Sequence, residues 1–143
     1  RQHPPEVTGY FAMKAFIETL IEVGGKNGFF DRYRIMVYPL MNPDGVDLGH
    51  FRHNTGGVDL NRDWSVYHQP EIAQITQHMV NETKEHKNKV LLGLDFHSTF
   101  HDVYYTPHES VKRKIPDFTK TWLESIRSAL NIDDINESPG KGE

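Results

Sequence analysis

A dense run of polar side chains stands at Gly57-Val58-Asp59-Leu60-Asn61-Arg62-Asp63-Trp64, after an earlier polar motif at Asn42-Pro43-Asp44-Gly45. Asp59 could orient another group, Asn61 can donate and accept hydrogen bonds, and Arg62 could grip an anion with its planar guanidinium. A long polar loop inside a compact domain is uncommon unless it is functional. This run therefore predicts a site that handles a negatively charged ligand.

Two histidines and one glutamate could add a metal ion to that site. His3-Pro4-Pro5-Glu6 offers an imidazole and a carboxylate three positions apart, and His97 follows the apolar run at residues 90–96. Catalytic zinc typically takes three protein ligands and keeps a fourth position for water. His3, Glu6 and His97 would supply such a set for one Zn²⁺. Asp59 is the expected hydrogen-bond acceptor that fixes the tautomer of a ligating imidazole.

The other histidines are weaker candidates. His101 has helical metal-pair spacing with His97, but both follow a predicted strand, so His97 is preferred alone. His50 and His53 flank Arg52 in the long loop and could line a cleft. An isolated His-x-x-Glu pair is usually a solvated surface feature, and a lone histidine after a strand is usually structural. The combination with residues 57–64 is what favours a metal site.

Composition narrows the class of protein. The 143 residues fit one domain, and 36% hydrophobic with 25% charged residues is an ordinary globular composition. The net charge of -4 excludes the basic surface that nucleic acid requires, and no apolar run is long enough for a membrane span. Without cysteine there is no thiolate metal site, and the compartment stays open. The sequence starts at Arg1 without an initiator methionine and stops in the turn-forming residues 138–143. We therefore expect residues 1–143 to be part of a longer catalytic domain.

Helical and strand patterns alternate along the chain. Helices are predicted from Pro5 or Glu6 to about Val23, from Pro70 until the pattern fades at residues 84–87, and at residues 115–130. Buried strands are predicted at residues 34–40 and 90–96, and a third strand at residues 102–106. This alternation predicts an α/β domain built on a largely parallel sheet. Because ligands collect beyond the carboxyl ends of such strands, we expect His3, Asn42 and His97 at one edge of the sheet.

The order of the motifs resembles the zinc carboxypeptidases of the carboxypeptidase A type, the M14 peptidases. The matching residues are His3-Pro4-Pro5-Glu6, Asn42-Pro43-Asp44-Gly45, Phe51-Arg52-His53-Asn54, the run from Gly57 to Arg62, and a strand ending at His97. The opening Arg1-Gln2-His3-Pro4 and the Asp95-Phe96-His97 strand are closer to the bacterial and cytosolic branches than to the pancreatic enzymes. These motifs cover about the first two-thirds of the chain.

This resemblance implies both a fold and an activity. The fold would be a mixed, largely parallel sheet with helices on both faces, incomplete at both ends of this chain. His3, Glu6 and His97 would hold zinc, which is the known ligand set of carboxypeptidase A. Asn61 and Arg62 would bind the terminal carboxylate of a peptide, and Arg52 would stabilise the oxyanion. The expected reaction is hydrolysis of the last peptide bond.

The chain also departs from the family pattern. Pro5 stands where the pancreatic enzymes have an arginine before the ligand glutamate. The general-base glutamate is expected beyond residue 143, because Glu137 and Glu143 lie in a turn-rich tail without strand character. This segment alone is therefore expected to be nearly inactive.

Several alternatives remain open from the sequence. The protein could be a zinc amidase or deacylase acting on N-acyl amino acids or cell-wall peptides. It could also be a non-catalytic binder of carboxylate-terminated peptides. Arg62 could form an ordinary ion pair with Asp59 or Asp63, and Arg52 could be a surface arginine. Neither a nucleic-acid partner nor a membrane segment is expected.

Overall fold

The computed structural model describes residues 1–87, 89–108, 115 and 117–140 of an α/β chain. Contacts divide the chain into two compact units, Arg1–Ser98 and Thr99–Glu143. The first unit contains α1 (Val7–Asn27), α2 (Pro43–Asp47), α3 (Pro70–Glu85) and two 3₁₀ turns, Phe29–Asp31 and Leu60–Arg62. The second contains β1 (Tyr104–Thr106), α4 (Phe118–Leu130) and β2 (Glu137–Pro139). Among the described residues, no helix combines the length and apolar character needed to cross a bilayer.

Helix α1 starts where it was predicted to start but ends later. It begins at Val7, directly after Glu6 and the turn at Pro4 and Pro5. Its predicted end before Gly24 is wrong, because the helix continues to Asn27 and is capped by Gly28 in the left-handed region (φ 68°). A Cβ on Gly24 would lie 2.9 Å from Cε2 of Phe30. Because Gly24 has no side chain, Phe30 can pack closely against α1, and Gly24 does not end the helix.

Two of the three predicted strands are not formed in the described chain. Residues 34–40 and 90–96 have no strand assignment, and the sheet found in the described residues consists of β1 and β2. Val37, Leu40 and Leu92 are 41%, 46% and 44% exposed, so these runs are not buried either. A strand requires backbone hydrogen bonds to a neighbour, and apolar composition alone does not specify that neighbour.

The second unit holds a short parallel pair of strands. Tyr104 lies opposite Glu137, and α4 provides the crossover that parallel strands require. The strand predicted at residues 102–106 is thus confirmed over its last three residues. The expectation that Glu137 lies in a tail without strand character was wrong, since Glu137 opens β2 and accepts a hydrogen bond from Oγ1 of Thr106 at 2.6 Å. Helix α4 starts at Phe118; residues 109–114 and 116, where its predicted start partly falls, lie outside the described residues.

The core of the first unit lies directly under the polar loop. Leu60 and Ile72 are completely buried and cluster with Met41, while Tyr38, Trp64 and Ile75 pack around them. Leu60 stands between Asp59 and Asn61 in the loop, and Ile72 belongs to α3. Burial of Leu60 therefore anchors the loop to α3 and leaves its polar neighbours free to form a site.

Candidate metal centre

Three potential metal ligands, two from the start of the chain and one 91 positions after Glu6, lie together in the first unit. Nδ1 of His3 is 2.7 Å from Oε1 of Glu6, and Nδ1 of His97 is 2.7 Å from Oε2 of the same carboxylate. The two imidazole rings are 5.0 Å apart between centroids. One ligand atom from each of these residues lies within 4.8 Å of the others. Two imidazole nitrogens and a carboxylate form a donor set suited to zinc.

Glu6 is held at the junction of α1 and the segment that follows His97. It is the N-cap residue of α1, but its side chain makes no capping bond and faces the two histidines instead. The backbone N–H of Ser98 donates to Oε2 of Glu6 at 3.1 Å, and Oγ of Ser98 accepts from the N–H of Gly9 at 2.8 Å. The first turn of α1 is thereby joined to the backbone next to His97.

Gly9 makes this close approach possible. A Cβ at this position would lie 2.7 Å from the carbonyl oxygen of His97, which is closer than side chains can approach. From the sequence, Gly9 is only a weak point in the first turns of the predicted helix. Its role at the junction depends on a contact 88 positions away in a segment without regular structure, so no local signal indicated it.

Each histidine presents its other ring nitrogen to a carboxylate. Nε2 of His3 is 2.8 Å from Oδ1 of Asp59, and Nε2 of His97 is 3.0 Å from Oδ2 of Asp95. An ionised carboxylate only accepts hydrogen bonds, so Asp59 and Asp95 can each hold an Nε2–H, and with hydrogen on Nε2 the Nδ1 lone pairs would be left for a metal beside Glu6. Asp95 was not selected from the sequence. Its position two residues before His97, where an extended chain repeats its facing, was the available signal.

The electrostatics of the site favour the ionised forms of the two carboxylates behind the histidines, Asp59 and Asp95. Burial opposes ionisation of Asp59, but hydrogen bonds from His3 and Arg52 outweigh it and lower the pKa of this carboxyl to about 2. Burial also opposes ionisation of Asp95, whose pKa is nevertheless lowered by His97 and Gln2. The pKa of His97 is raised chiefly by its hydrogen bond to Asp95, against its own burial, with help from Glu6.

Asp59 organises the polar loop as well as His3. Its Oδ1 accepts the backbone N–H of Asn61 at 2.9 Å, and its Oδ2 accepts Nε–H of Arg52 at 2.7 Å. Oδ1 of Asn54 folds the preceding turn by accepting the N–H groups of Gly56 and Val58. Arg52, whose side chain is 39% exposed, is therefore connected to His3 through one carboxylate.

Arg62 does not form the ordinary ion pair that the sequence left open. Within the described part of the chain its guanidinium has no ion pair with Asp59 or Asp63, and Nη1 donates to the carbonyl of Asn61 at 3.1 Å. Asp63 is occupied by the backbone N–H groups of His68 and Gln69. The exposed guanidinium therefore remains available to a ligand.

Asn42 connects the backbone next to His3 with the polar loop that carries Arg52. Its buried Nδ2 donates to the carbonyls of Gln2 (3.1 Å) and His53 (3.2 Å), and its Oδ1 accepts the N–H of Gly45 at 3.0 Å. The last bond caps α2, and asparagine before proline is a typical helix start. Neither α2 nor the two carbonyl contacts was predicted from the sequence, where this motif was taken only as a polar segment.

A second group of possible ligands lies on α3. Glu82, Glu85 and His86 are close enough to share an ion, but Glu85 and His86 are exposed. Glu82 is already paired with Nη1 of Arg34 at 2.6 Å. This cluster has the features of a solvated helix surface.

Comparison with known proteins defines the class. The zinc carboxypeptidase (peptidase M14) family model matches residues 1–135, so the chain belongs to this family. It is 31% identical to cytosolic carboxypeptidase 3 of Mus musculus over 68% of its length, and 33% identical over 68% to a putative zinc carboxypeptidase of Plasmodium falciparum. It is 32% identical over 92% of its length to an uncharacterized protein of Zymomonas mobilis.

The chain is much shorter than these relatives. It covers 10% of the mouse protein, 6% of the Plasmodium protein and 34% of the Zymomonas protein. No solved structure gave a significant match. Family membership implies zinc, and the two Nδ1 atoms facing Glu6 make a donor set that fits this metal.

Proposed function

We propose that the full-length protein containing this chain is a zinc carboxypeptidase that removes the last residue of a peptide, with His3, Glu6 and His97 as the metal ligands. The observation that carries the proposal is that both Nδ1 atoms lie 2.7 Å from the same carboxylate. Asp59 would hold Nε2–H of His3 and so keep its Nδ1 free for the metal. Bound zinc would supply Lewis acidity toward the scissile carbonyl and toward water at neutral pH.

Asn61 and Arg62 are proposed to bind the terminal carboxylate of the substrate. Both belong to the 3₁₀ turn Leu60–Arg62, which is held by the buried Leu60 and the Asp59 cap. A guanidinium matches a carboxylate through two parallel hydrogen bonds, and the amide of Asn61 can add another. Because the turn is fixed by its neighbours, little ordering remains to be done when the substrate binds.

Arg52 is proposed to stabilise the negative charge that develops on the scissile carbonyl. Its ion pair with Asp59 uses Nε, which leaves the N–H groups of the two terminal nitrogens as further donors. Donors that are already fixed in place are the most effective at stabilising an oxyanion. We assign the general base to no residue of this chain, and the proposal concerns the full-length protein.

A comparison of two substrates with one variant tests the proposal. We expect the full-length protein to hydrolyse a blocked dipeptide with a free carboxylate much faster than its carboxamide. In Arg62→Met, kcat/KM for the acid should fall about 10- to 100-fold, since hydrogen bonds to charged groups are worth about 1.5–3 kcal/mol. Hydrolysis of the amide should change little, so the ratio of kcat/KM for the acid to that for the amide should fall by the same factor.

The matched control is Arg127→Met, on the exposed surface of α4, which should leave both rates unchanged. A chelator should abolish activity and zinc should restore it. The proposal is wrong if the zinc-loaded protein cleaves N-acyl amino acids but no peptide, or if it binds peptides without turnover. A persistent acid preference in Arg62→Met would remove Arg62 from the carboxylate site.

A further inference from the structure

Gln2 is a buried polar side chain with both ends of its amide engaged. Only 3% of the residue is exposed. Its Oε1 accepts Nε1–H of Trp64 at 2.9 Å, and its Nε2 donates to Oδ2 of Asp95 at 2.9 Å. An indole N–H can only donate and a carboxylate can only accept, so these two partners determine the orientation of the amide.

The oxygen of Asp95 that Gln2 contacts also receives the hydrogen bond of His97. Nε2 of His97 lies 3.0 Å from Oδ2 of Asp95, and the two donor nitrogens are 3.4 Å apart. The side chain of Asp95 is 58% exposed, and it lies in a segment without regular secondary structure. The carboxylate is thus only partly covered and no strand holds its backbone, so hydrogen bonds fix its position. Gln2 is a buried donor of one of these bonds.

The arrangement parallels the one around the other histidine. Asp59 holds His3 and is itself held by Arg52 and the backbone N–H of Asn61. Asp95 holds His97 and is itself held by Gln2. Through Trp64, the last residue of the polar run at residues 57–64, the chain of bonds connects that run to His97.

We propose that Gln2 is a positioning residue of the metal centre: held by Trp64, it orients Asp95, which keeps Nε2–H of His97 engaged and directs Nδ1 to the metal. This inference rests on the proposed zinc site. It predicts that a residue outside the ligand set, with hydrogen bonds to Trp64 and Asp95, controls metal affinity through a second side chain.

The first test is the zinc affinity of Gln2→Leu in the full-length protein, measured by competition with a chromophoric chelator. We expect zinc binding to weaken about 10- to 100-fold, the range found for outer hydrogen-bond partners of metal ligands. ¹⁵N NMR of labelled histidine should show that His97 loses its uniform Nε2–H form. The matched control is Gln77→Leu on the exposed face of α3, which should alter neither measurement.

A double-mutant cycle separates positioning from a merely structural role. If Gln2 acts through Asp95, then Gln2→Leu should cause no further loss of zinc affinity in an Asp95→Ala protein. If the double variant instead shows the product of the two single fold-losses in zinc affinity, the proposal is overturned. Trp64→Phe removes the N–H donor and keeps an aromatic ring against the core, so it should weaken zinc binding in the same direction even if Gln2→Leu fails to fold.

The outcomes also distinguish this inference from the proposed function. If the wild-type protein does not bind zinc, the proposed function itself fails. If the wild type binds zinc, and the Gln2→Leu and Trp64→Phe proteins bind it equally well, only the positioning role of Gln2 is wrong.

Discussion

Replacing Glu6 with glutamine is expected to eliminate tight zinc binding by the full-length protein. Each oxygen of the Glu6 carboxylate faces one histidine Nδ1, and together they supply the negative charge at the centre of the site. Glutamine keeps the shape but loses the charge and turns an NH₂ group toward one imidazole. We expect the loss of affinity to exceed the roughly 100-fold upper range for outer partners, because Glu6 is a proposed ligand.

Competition with a chelator measures this loss, and Glu18→Gln is its matched control. Glu18 lies on the same helix, where it pairs with Lys14 at the exposed surface. The control should bind zinc like the wild type. Circular dichroism would show whether Glu6→Gln remains folded. A folded Glu6→Gln protein with undiminished zinc affinity would mean that the metal, if any, is bound elsewhere.

Replacing Arg52 with glutamine is expected to lower kcat about 100- to 1,000-fold at saturating zinc, the effect of removing one oxyanion donor. KM should change much less, because the proposed contact strengthens only as charge develops on the carbonyl. Since Arg52 also contacts Asp59, its removal should weaken zinc binding somewhat. Assays at saturating zinc remove that second effect from the comparison.

Two further variants show whether the lower kcat of Arg52→Gln comes from the lost oxyanion contact or from weaker zinc binding. Asp59→Asn should weaken zinc binding by about 10- to 100-fold, and excess zinc should restore most of its activity. Arg34→Gln removes an ion pair with Glu82 of α3, away from the proposed site, and should have no effect. Recovery of Arg52→Gln activity in excess zinc would show that Arg52 acts only through Asp59 and His3.

Local motifs account for the parts of the site that could be predicted from the sequence. His3 and Glu6 are three residues apart at a helix start, so the turn through Pro4 and Pro5 places them side by side. Asp59 caps the short turn that follows it, which is a local preference of aspartate. Pro70 likewise opens α3 where proline is favoured.

The contacts that depend on the folded chain were not predicted. Gln2 and Gly9 act through partners far away in sequence, and neither has a local pattern that names the partner. Asp95 lies only two residues before His97, but its bond to Gln2 depends on the folded chain. The predictions of strands at residues 34–40 and 90–96 were wrong for a related reason. Apolar character at residues 34–40 and 90–96 indicates a tendency to be covered, whereas strand formation depends on which neighbour supplies the hydrogen bonds.

Zinc X-ray absorption on the full-length protein tests the central claim most directly. With one equivalent of zinc, the account predicts two imidazole nitrogens at about 2.0–2.1 Å and carboxylate oxygen at about 2.0–2.2 Å. His3→Ala and His97→Ala should each remove one imidazole from the zinc shell. An imidazole signal that persists unchanged in both variants would contradict the assignment of these two histidines to a single metal ion.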